Sequence, residues 1–163
     1  STLGTWVRGR AYDDLDRETA HVFPDSSEVA YQYSSRGLLE HLPGYVTQMF
    51  SRNYLPRLVR CEVTAPQDTL DVNAKRSDDG RTLVLQALNP TDKAVAAQIH
   101  LAGFIPRKPM AQVTELSGPL GARNTAALPT AIVPQSRQWQ HAFKDGESSY
   151  TFPPYSVTVL RLE

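Results

Sequence analysis

Hydrophobic and polar positions alternate most clearly in the middle of the chain. Residues 70–75 switch between apolar and polar side chains with a period of two, which is typical of a half-buried β-strand. Asp79-Gly80 follows, and glycine readily adopts the positive φ that a tight hairpin turn needs. Residues 82–88 and, after a turn at residues 89–92, residues 95–101 continue as strands. The pattern predicts a β-meander, in which each strand pairs with the next.

The last third of the chain has the same character. Asp145-Gly146 is predicted to be a hairpin turn, and Pro153-Pro154 ends one strand before the next begins, because proline cannot donate a sheet hydrogen bond. Many short strands separated by turns are typical of a β-sandwich. We therefore expect an all-β, antiparallel, jelly-roll-like sandwich over residues 55–163. The predicted strands of this part are residues 111–116, 139–143, 150–152 and 156–162.

The first third combines predicted strands with one helix. Pro43 suits the first turn of a helix, and Val46, Met49 and Phe50 then share one face. A short helix is thus predicted near residues 43–52. Residues 1–54 form a separate N-terminal part, which either completes the sandwich or is a remnant of a junction with a barrel domain. Its predicted strands are residues 5–12, 21–23 and 29–33.

Composition narrows the classes of function. Lysine plus arginine and aspartate plus glutamate number 17 each, so no basic field exists to attract nucleic acid. The sequence contains no run of about 18 apolar residues, the length that a membrane-spanning helix needs. Cys61 is the single cysteine, which excludes an internal disulfide and favours a buried structural thiol. The sequence does not distinguish a cytoplasmic protein from a secreted one. Because the sequence starts at Ser1 rather than Met, we expect a processed or excised piece.

Aromatic side chains provide candidate sugar-binding positions, since the apolar face of a sugar ring stacks on an aromatic plane. Trp139 lies among polar neighbours on a predicted edge strand, and Tyr150 and Trp6 are further candidates. Tyr31 and Tyr33 are also available. The alternative is that these rings pack in the interior, as a single tryptophan in a strand usually does.

Candidate metal ligands are few. Asp13, Asp14 and Asp16 cluster close to Glu18, and clustered carboxylates can bind calcium, although a solvated acidic loop explains the same pattern. The four histidines are scattered without metal-site spacing, and no phosphate-binding or dinucleotide-binding glycine loop occurs. We expect no cofactor.

Three segments resemble one enzyme family. Residues 43–53 are similar to the segment where family-51 α-L-arabinofuranosidases leave their catalytic barrel. Residues 70–90, which end in Asn89-Pro90, are similar to the first hairpin of that family's C-terminal sandwich. Residues 150–162 resemble its closing strand and are the most specific of the three matches. The resemblance covers about residues 43–163 and leaves the first forty residues unexplained.

The resemblance implies a retaining glycoside hydrolase that releases α-L-arabinofuranosyl groups from arabinose-containing polysaccharides. Such enzymes use two carboxylates on barrel strands, and the acid/base glutamate directly follows an asparagine. This chain has no Asn-Glu dipeptide and no repeated βα units. We therefore expect no catalytic residue, but an accessory module that packs on a (β/α)₈ catalytic domain in a parent that can form homo-oligomers.

Two alternatives are kept. The first is a free-standing carbohydrate-binding module, which could bind an arabinose-containing polysaccharide directly. The second is an autonomous enzyme, which the unexplained first forty residues leave open.

Overall fold

A computed structural model describes residues 9–12, 18–22, 28–30, 42–64, 69–119, 122, 124, 128, 130–143 and 146–163. Apart from α1, the regular structure in this part of the chain is β-strand. The elements are β1 (Gly9–Tyr12), β2 (Glu18–Val22), β3 (Glu28–Ala30), α1 (Leu42–Arg52), β4 (Arg57–Val59), β5 (Asp71–Arg76), β6 (Leu83–Asn89), β7 (Val95–His100), β8 (Met110–Ser117), β9 (Gln135–Gln140), β10 (Glu147–Phe152) and β11 (Ser156–Leu162).

The largest sheet has six strands in the order β4-β5-β6-β11-β8-β9, and every neighbouring pair is antiparallel. Strand β11 lies near its centre. Leu160 is opposite Leu85 of β6 on one side and Val113 of β8 on the other. These three side chains are buried, so the central strands form the hydrophobic middle of the sheet.

A second sheet consists of β7 and β10, which pair antiparallel from Val95↔Phe152 to His100↔Glu147. Exposed and less exposed positions alternate along both strands. Phe152 is 2% exposed, whereas its neighbour Thr151 faces solvent. Such alternation shows that one side of this sheet covers the core and the other side meets water.

Two hydrophobic cores lie on opposite faces of the six-stranded sheet. The first core packs Leu85 and Leu160 against Phe152 and Tyr150 of the two-stranded sheet, with Phe104 beside them. Burying one large apolar side chain stabilises the fold by roughly 2 kcal/mol. This layered packing makes the protein an all-β sandwich, as the sequence predicts.

The second core lies under α1. Met49 is 3% exposed and packs with Val84 and Val159 of the sheet, and Val46 and Phe50 support it from the same helix face. The helix spans Leu42–Arg52, which confirms the predicted helix. Its C-terminal end is capped by Asn53, whose Nδ2 donates to the carbonyl oxygen of Met49 at 2.9 Å.

Strands β1, β2 and β3 form a three-stranded antiparallel sheet of their own. They confirm strands within the predicted segments 5–12, 21–23 and 29–33, and β2 begins three residues earlier than predicted, at Glu18. The remaining positions of those segments lie outside the described residues. Whether residues 1–54 complete the sandwich stays a prediction.

The hairpin at Asp79-Gly80 is confirmed. Strands β5 and β6 pair across it, Gly80 has a φ of 70°, and its amide donates to the carbonyl oxygen of Ser77 at 3.0 Å. Asp79 completes the turn, since its carboxylate accepts from the amide of Arg81 at 3.0 Å. Glycine is required here because a positive φ strains residues that carry a Cβ.

Two predicted strand pairings are wrong. The meander does not continue past β6, because β6 pairs with β5 and β11, whereas β7 pairs with β10. The predicted hairpin between β9 and β10 is likewise not formed, since β9 pairs with β8 in the large sheet and β10 lies in the small one. Asp145 of its predicted turn lies outside the described residues. In both places the chain crosses from one sheet to the other. Local turn signals do not distinguish a hairpin from such a crossing.

The ninth strand is also displaced from its prediction. It covers Gln135–Gln140 rather than residues 139–143. His141 therefore follows the strand, and its amide donates to the carbonyl oxygen of Pro109 at 3.2 Å. Within the described ranges, no helix is long and apolar enough to cross a membrane.

Candidate functional site

Trp139 and Tyr150 are brought together by the fold. They lie on β9 and β10, which belong to different sheets, and their ring centroids are 5.0 Å apart. Trp6, Tyr31 and Tyr33 lie outside the described residues, as do the calcium candidates Asp13, Asp14 and Asp16. Glu18 lies in β2.

The two rings belong to a larger group that we call the aromatic cluster, formed by Trp139, His141, Phe143, Tyr150 and Phe152. Trp139 meets three of the other rings edge-on, with interplanar angles of 64° to His141, 74° to Phe143 and 76° to Tyr150. Such edge-to-face pairs contribute about 0.5–1.5 kcal/mol beyond simple burial. Tyr150 is 5% exposed. The geometry favours the packed alternative for both rings, while their sugar binding stays a prediction.

A polar network closes one side of the aromatic cluster. Arg137 Nη2 donates to the hydroxyl of Tyr150 at 2.7 Å, and that hydroxyl donates to Glu115 Oε2 at 3.1 Å. Arg137 Nη2 also lies 3.7 Å from the same Glu115 oxygen. Burial, together with the negative charge of Glu115, raises the pKa of Tyr150 well above its usual range. The network keeps the phenol protonated and holds β8, β9 and β10 together.

Glu115 and Arg137 were not among the sequence candidates. The available signal was the alternation of β8, which places Glu115 on the same face as the buried Ala111 and Val113. A carboxylate on a buried face requires a partner. The sequence alone does not show that the partner comes from β9.

Other carboxylates in the described ranges form ion pairs near the surface. Asp78 accepts from Arg57 at 2.7 Å, and Glu147 lies 3.3 Å from His100. Glu163 is held by Lys108 and Arg161, which lower its carboxyl pKa from the usual value. No group of three histidine, cysteine or acidic side chains in this part of the chain could bind a metal ion. Cys61 is a free, partly buried thiol, and desolvation raises its pKa.

A polar groove of about 470 Å³ runs between α1 and the β8–β9 side of the large sheet. Amide, hydroxyl and guanidinium groups line it, and none of its described lining residues carries a carboxylate. These described groups can offer many hydrogen bonds to a ligand. Its polar lining residues are Gln48, Arg52, Asn53, Gln112, Thr114, Ser136 and Arg161.

Comparison with known families explains this combination of a filled sandwich and a flanking helix. Residues 44–156 match the sequence model of the α-L-arabinofuranosidase C-terminal domain. The chain belongs to this family. The match confirms the resemblance found in residues 43–163. It includes most of α1 and the strands β4, β5, β6, β8 and β9 of the large sheet, and it ends at the first residue of β11.

Solved structures agree with the family. A thermostable GH51 α-L-arabinofuranosidase from Thermotoga petrophila RKU-1 and an α-L-arabinofuranosidase from Thermotoga maritima in an arabinose complex each share 31% identity over 58% of this chain, with TM-scores of 0.51. An arabinose-bound MgGH51 α-L-arabinofuranosidase covers 88% of the chain at a TM-score of 0.66, and its 18% identity supports the fold alone. No curated protein sequence gave a match.

The family's domain is a part of larger enzymes. The chain spans 19% of the two Thermotoga structures and 21% of the MgGH51 structure. It is therefore similar to the C-terminal domain of glycoside hydrolases and not to their whole length.

Proposed function

We propose that this chain is the non-catalytic C-terminal module of a retaining α-L-arabinofuranosidase, packed on a (β/α)₈ catalytic domain. Its role is to stabilise the parent enzyme and to provide contacts to the catalytic domain. The observation that carries the proposal is the family match over residues 44–156. It is combined with a site in which Glu115, the least exposed ion-paired carboxylate of the described residues, is held by Arg137 and Tyr150.

The chemistry of the described residues supports the non-catalytic part. A retaining glycosidase needs two carboxyl groups about 5 Å apart, one as acid/base and one as nucleophile. Glu115 faces a guanidinium group and a phenol instead of a second carboxylate.

The test compares two proteins on an aryl α-L-arabinofuranoside: the 163-residue chain and the full-length polypeptide that contains it. We expect turnover by the full-length polypeptide and none by the chain. Turnover by the chain would refute the non-catalytic role, whereas an inactive full-length polypeptide would refute the assignment of the parent enzyme.

A matched variant removes the remaining ambiguity about Glu115. Glu115→Gln in the full-length polypeptide should retain the wild-type kcat, because this carboxylate supports packing and not bond cleavage. A loss of several orders of magnitude in kcat, with the fold intact by circular dichroism, would make Glu115 a catalytic residue and contradict the proposal.

A further inference from the structure

The polar groove contains side chains that are held in place but can still form hydrogen bonds. Asn53 donates from Nδ2 to the carbonyl oxygen of Met49 at 2.9 Å, and within the described residues no hydrogen bond engages its Oδ1. The hydroxyl oxygens of Thr114 and Ser136 lie 3.2 Å apart across β8 and β9. Each hydroxyl keeps further capacity, because it can both donate and accept. The fixed part of the lining therefore offers donors as well as acceptors to a ligand.

Two guanidinium groups determine the charge of the groove. Arg161 is partly buried, and its Nε donates to Glu163 Oε1 at 3.1 Å, which orients the group and offsets its charge. Arg52 lies in the last turn of α1, is exposed, and forms no ion pair with another described residue. Among the described lining residues, the positive charge of Arg52 is thus not offset.

The polar groups reach the groove from two sides. Gln48 and Arg52 are four positions apart on α1 and therefore lie on the same side of the helix. Gln112 of β8 is directly opposite Arg161 of β11, so their side chains share one face of the sheet. A ligand between the helix and the sheet would meet hydrogen-bonding groups on both sides.

This lining suits a polyhydroxyl ligand better than a simple anion. An inorganic anion chiefly accepts hydrogen bonds and would leave acceptors such as Asn53 Oδ1 without a donor. The hydroxyl groups of a sugar both donate and accept, so they match a mixture of amides and hydroxyls. Met49 and Pro134 also line the groove and provide apolar atoms against which the C–H groups of a sugar ring can pack.

We propose that the polar groove binds a sugar that carries a carboxylate, as a uronic acid unit does. The carboxylate pairs with Arg52, because a guanidinium group can bind both carboxylate oxygens at once. The ring hydroxyls bond to Asn53, Gln112 and Ser136. The volume of about 470 Å³ is within the range of small-molecule sites. This site is additional to the proposed function, since it binds a sugar and cleaves no bond.

Isothermal titration calorimetry of the full-length polypeptide with D-galacturonate tests the proposal. D-Galactose has the same ring without the carboxylate, and acetate has the carboxylate without the ring. We expect saturable binding of galacturonate, and binding at least about tenfold weaker for galactose and for acetate. Both parts of the ligand are then needed.

Substitution of Arg52 locates the site. Arg52→Gln should weaken binding of galacturonate about tenfold or more, because it removes the charge that pairs with the carboxylate. Arg107→Gln is the matched control and should leave the affinity unchanged. Arg107 is likewise exposed and forms no ion pair with a described residue, but it does not line the groove. Gln48→Glu, which introduces a carboxylate one helical turn from Arg52, should abolish the binding.

Four results would contradict the proposal. Equal affinity for galactose would remove the need for a carboxylate, and equal affinity for acetate would reduce the groove to a simple anion site. Unchanged affinity in Arg52→Gln would place the ligand elsewhere, and a wild-type polypeptide without saturable binding would have no such site. The selectivity of the wild type decides the question even where a variant fails to fold. None of these measurements depends on turnover, so a failure here leaves the proposed function intact.

Discussion

The side chain of Asn89 donates a hydrogen bond from Nδ2 to the carbonyl oxygen of Pro153 at 2.7 Å, across 64 positions of sequence. Asn89 is fully buried and ends β6, and Pro153 follows the last residue of β10. The same Nδ2 lies 2.8 Å from the carbonyl oxygen of Lys93, and Oδ1 accepts from the amide of Thr91 at 3.0 Å. One amide group thus fixes two of the crossings between the two sheets, from β6 to β7 and from β10 to β11.

We expect Asn89→Ala to lower the free energy of unfolding by about 2–4 kcal/mol, because it leaves several buried carbonyl groups without donors. The measurement is urea denaturation followed by circular dichroism. Asn73→Ala is the matched control, since Asn73 is exposed on β5 and its removal should change stability by less than about 0.5 kcal/mol. Equal effects of the two variants would contradict the structural role of Asn89.

Alkaline pH should destabilise the protein through Tyr150. The folded state raises the pKa of this phenol above the unfolded value of about 10. The unfolded state therefore loses the proton first, so the stabilising contribution is complete below about pH 10 and decreases as pH rises beyond it. Urea midpoints measured from pH 8 to 11 should fall in the upper part of this range.

Tyr150→Phe should weaken that dependence on pH, and at pH 7 it should cost about 1 kcal/mol through the lost hydrogen bonds. Tyr54→Phe is the matched control because its ring is largely exposed, and it should keep the wild-type slope. An unchanged alkaline slope in Tyr150→Phe would show that the network around Arg137 and Glu115 does not hold this proton.

Alanine substitutions at Gly146 and Gly103 separate the effect of backbone strain from that of steric overlap. Their φ angles are similar, at 83° and 74°. A Cβ at Gly146 would lie 2.8 Å from the carbonyl oxygen of Leu101, whereas a Cβ at Gly103 would meet nothing within 4 Å. We expect Gly103→Ala to cost about 1 kcal/mol from the positive φ alone. Gly146→Ala should cost clearly more, and thermal unfolding by calorimetry measures the difference. A smaller loss for Gly146→Ala would show that the Leu101 carbonyl moves freely.

Binding of sugar to the aromatic cluster can be measured directly. Because Trp139 packs edge-on against its neighbours, we expect calorimetric titration with arabinan or xylan oligosaccharides to give no saturable binding. Trp139→Ala should instead lower stability by about 2–4 kcal/mol as a packing loss. Saturable binding that Trp139→Ala abolishes would support the free-standing carbohydrate-binding module.

Local patterns in the sequence predicted much of the fold. Alternation predicted β5 and β7, and the Asp79-Gly80 turn predicted the β5–β6 hairpin, because both signals depend on neighbouring residues. Strand pairing depends on distant residues instead. Nothing near Asn89 shows that its strand pairs with β11, since its partner Ser156 in that strand is distant in sequence. The carbonyl groups of Phe152 and Pro153, which accept from its side chain, are 63 and 64 positions away.

The same contrast between local signals and distant pairing applies to the candidate site. The sequence could single out Trp139 and Tyr150 as aromatic residues, but not the face on which each ring lies. That face is set by the pairing of β9 with β8 and of β10 with β7. Arg137 and Glu115 meet for the same reason, although 22 positions separate them in the chain.

The central position of β11 has a consequence for synthesis on the ribosome. Strands β6 and β8 are not neighbours until residues 156–162 are inserted between them. During translation, the apolar side chains of β6 and β8 therefore remain without their shared partner strand until β11 has been synthesised. Over this interval, residues 83–117 expose apolar strand edges that are prone to aggregation, and a premature stop before β11 would leave two half-sheets with the same exposed edges.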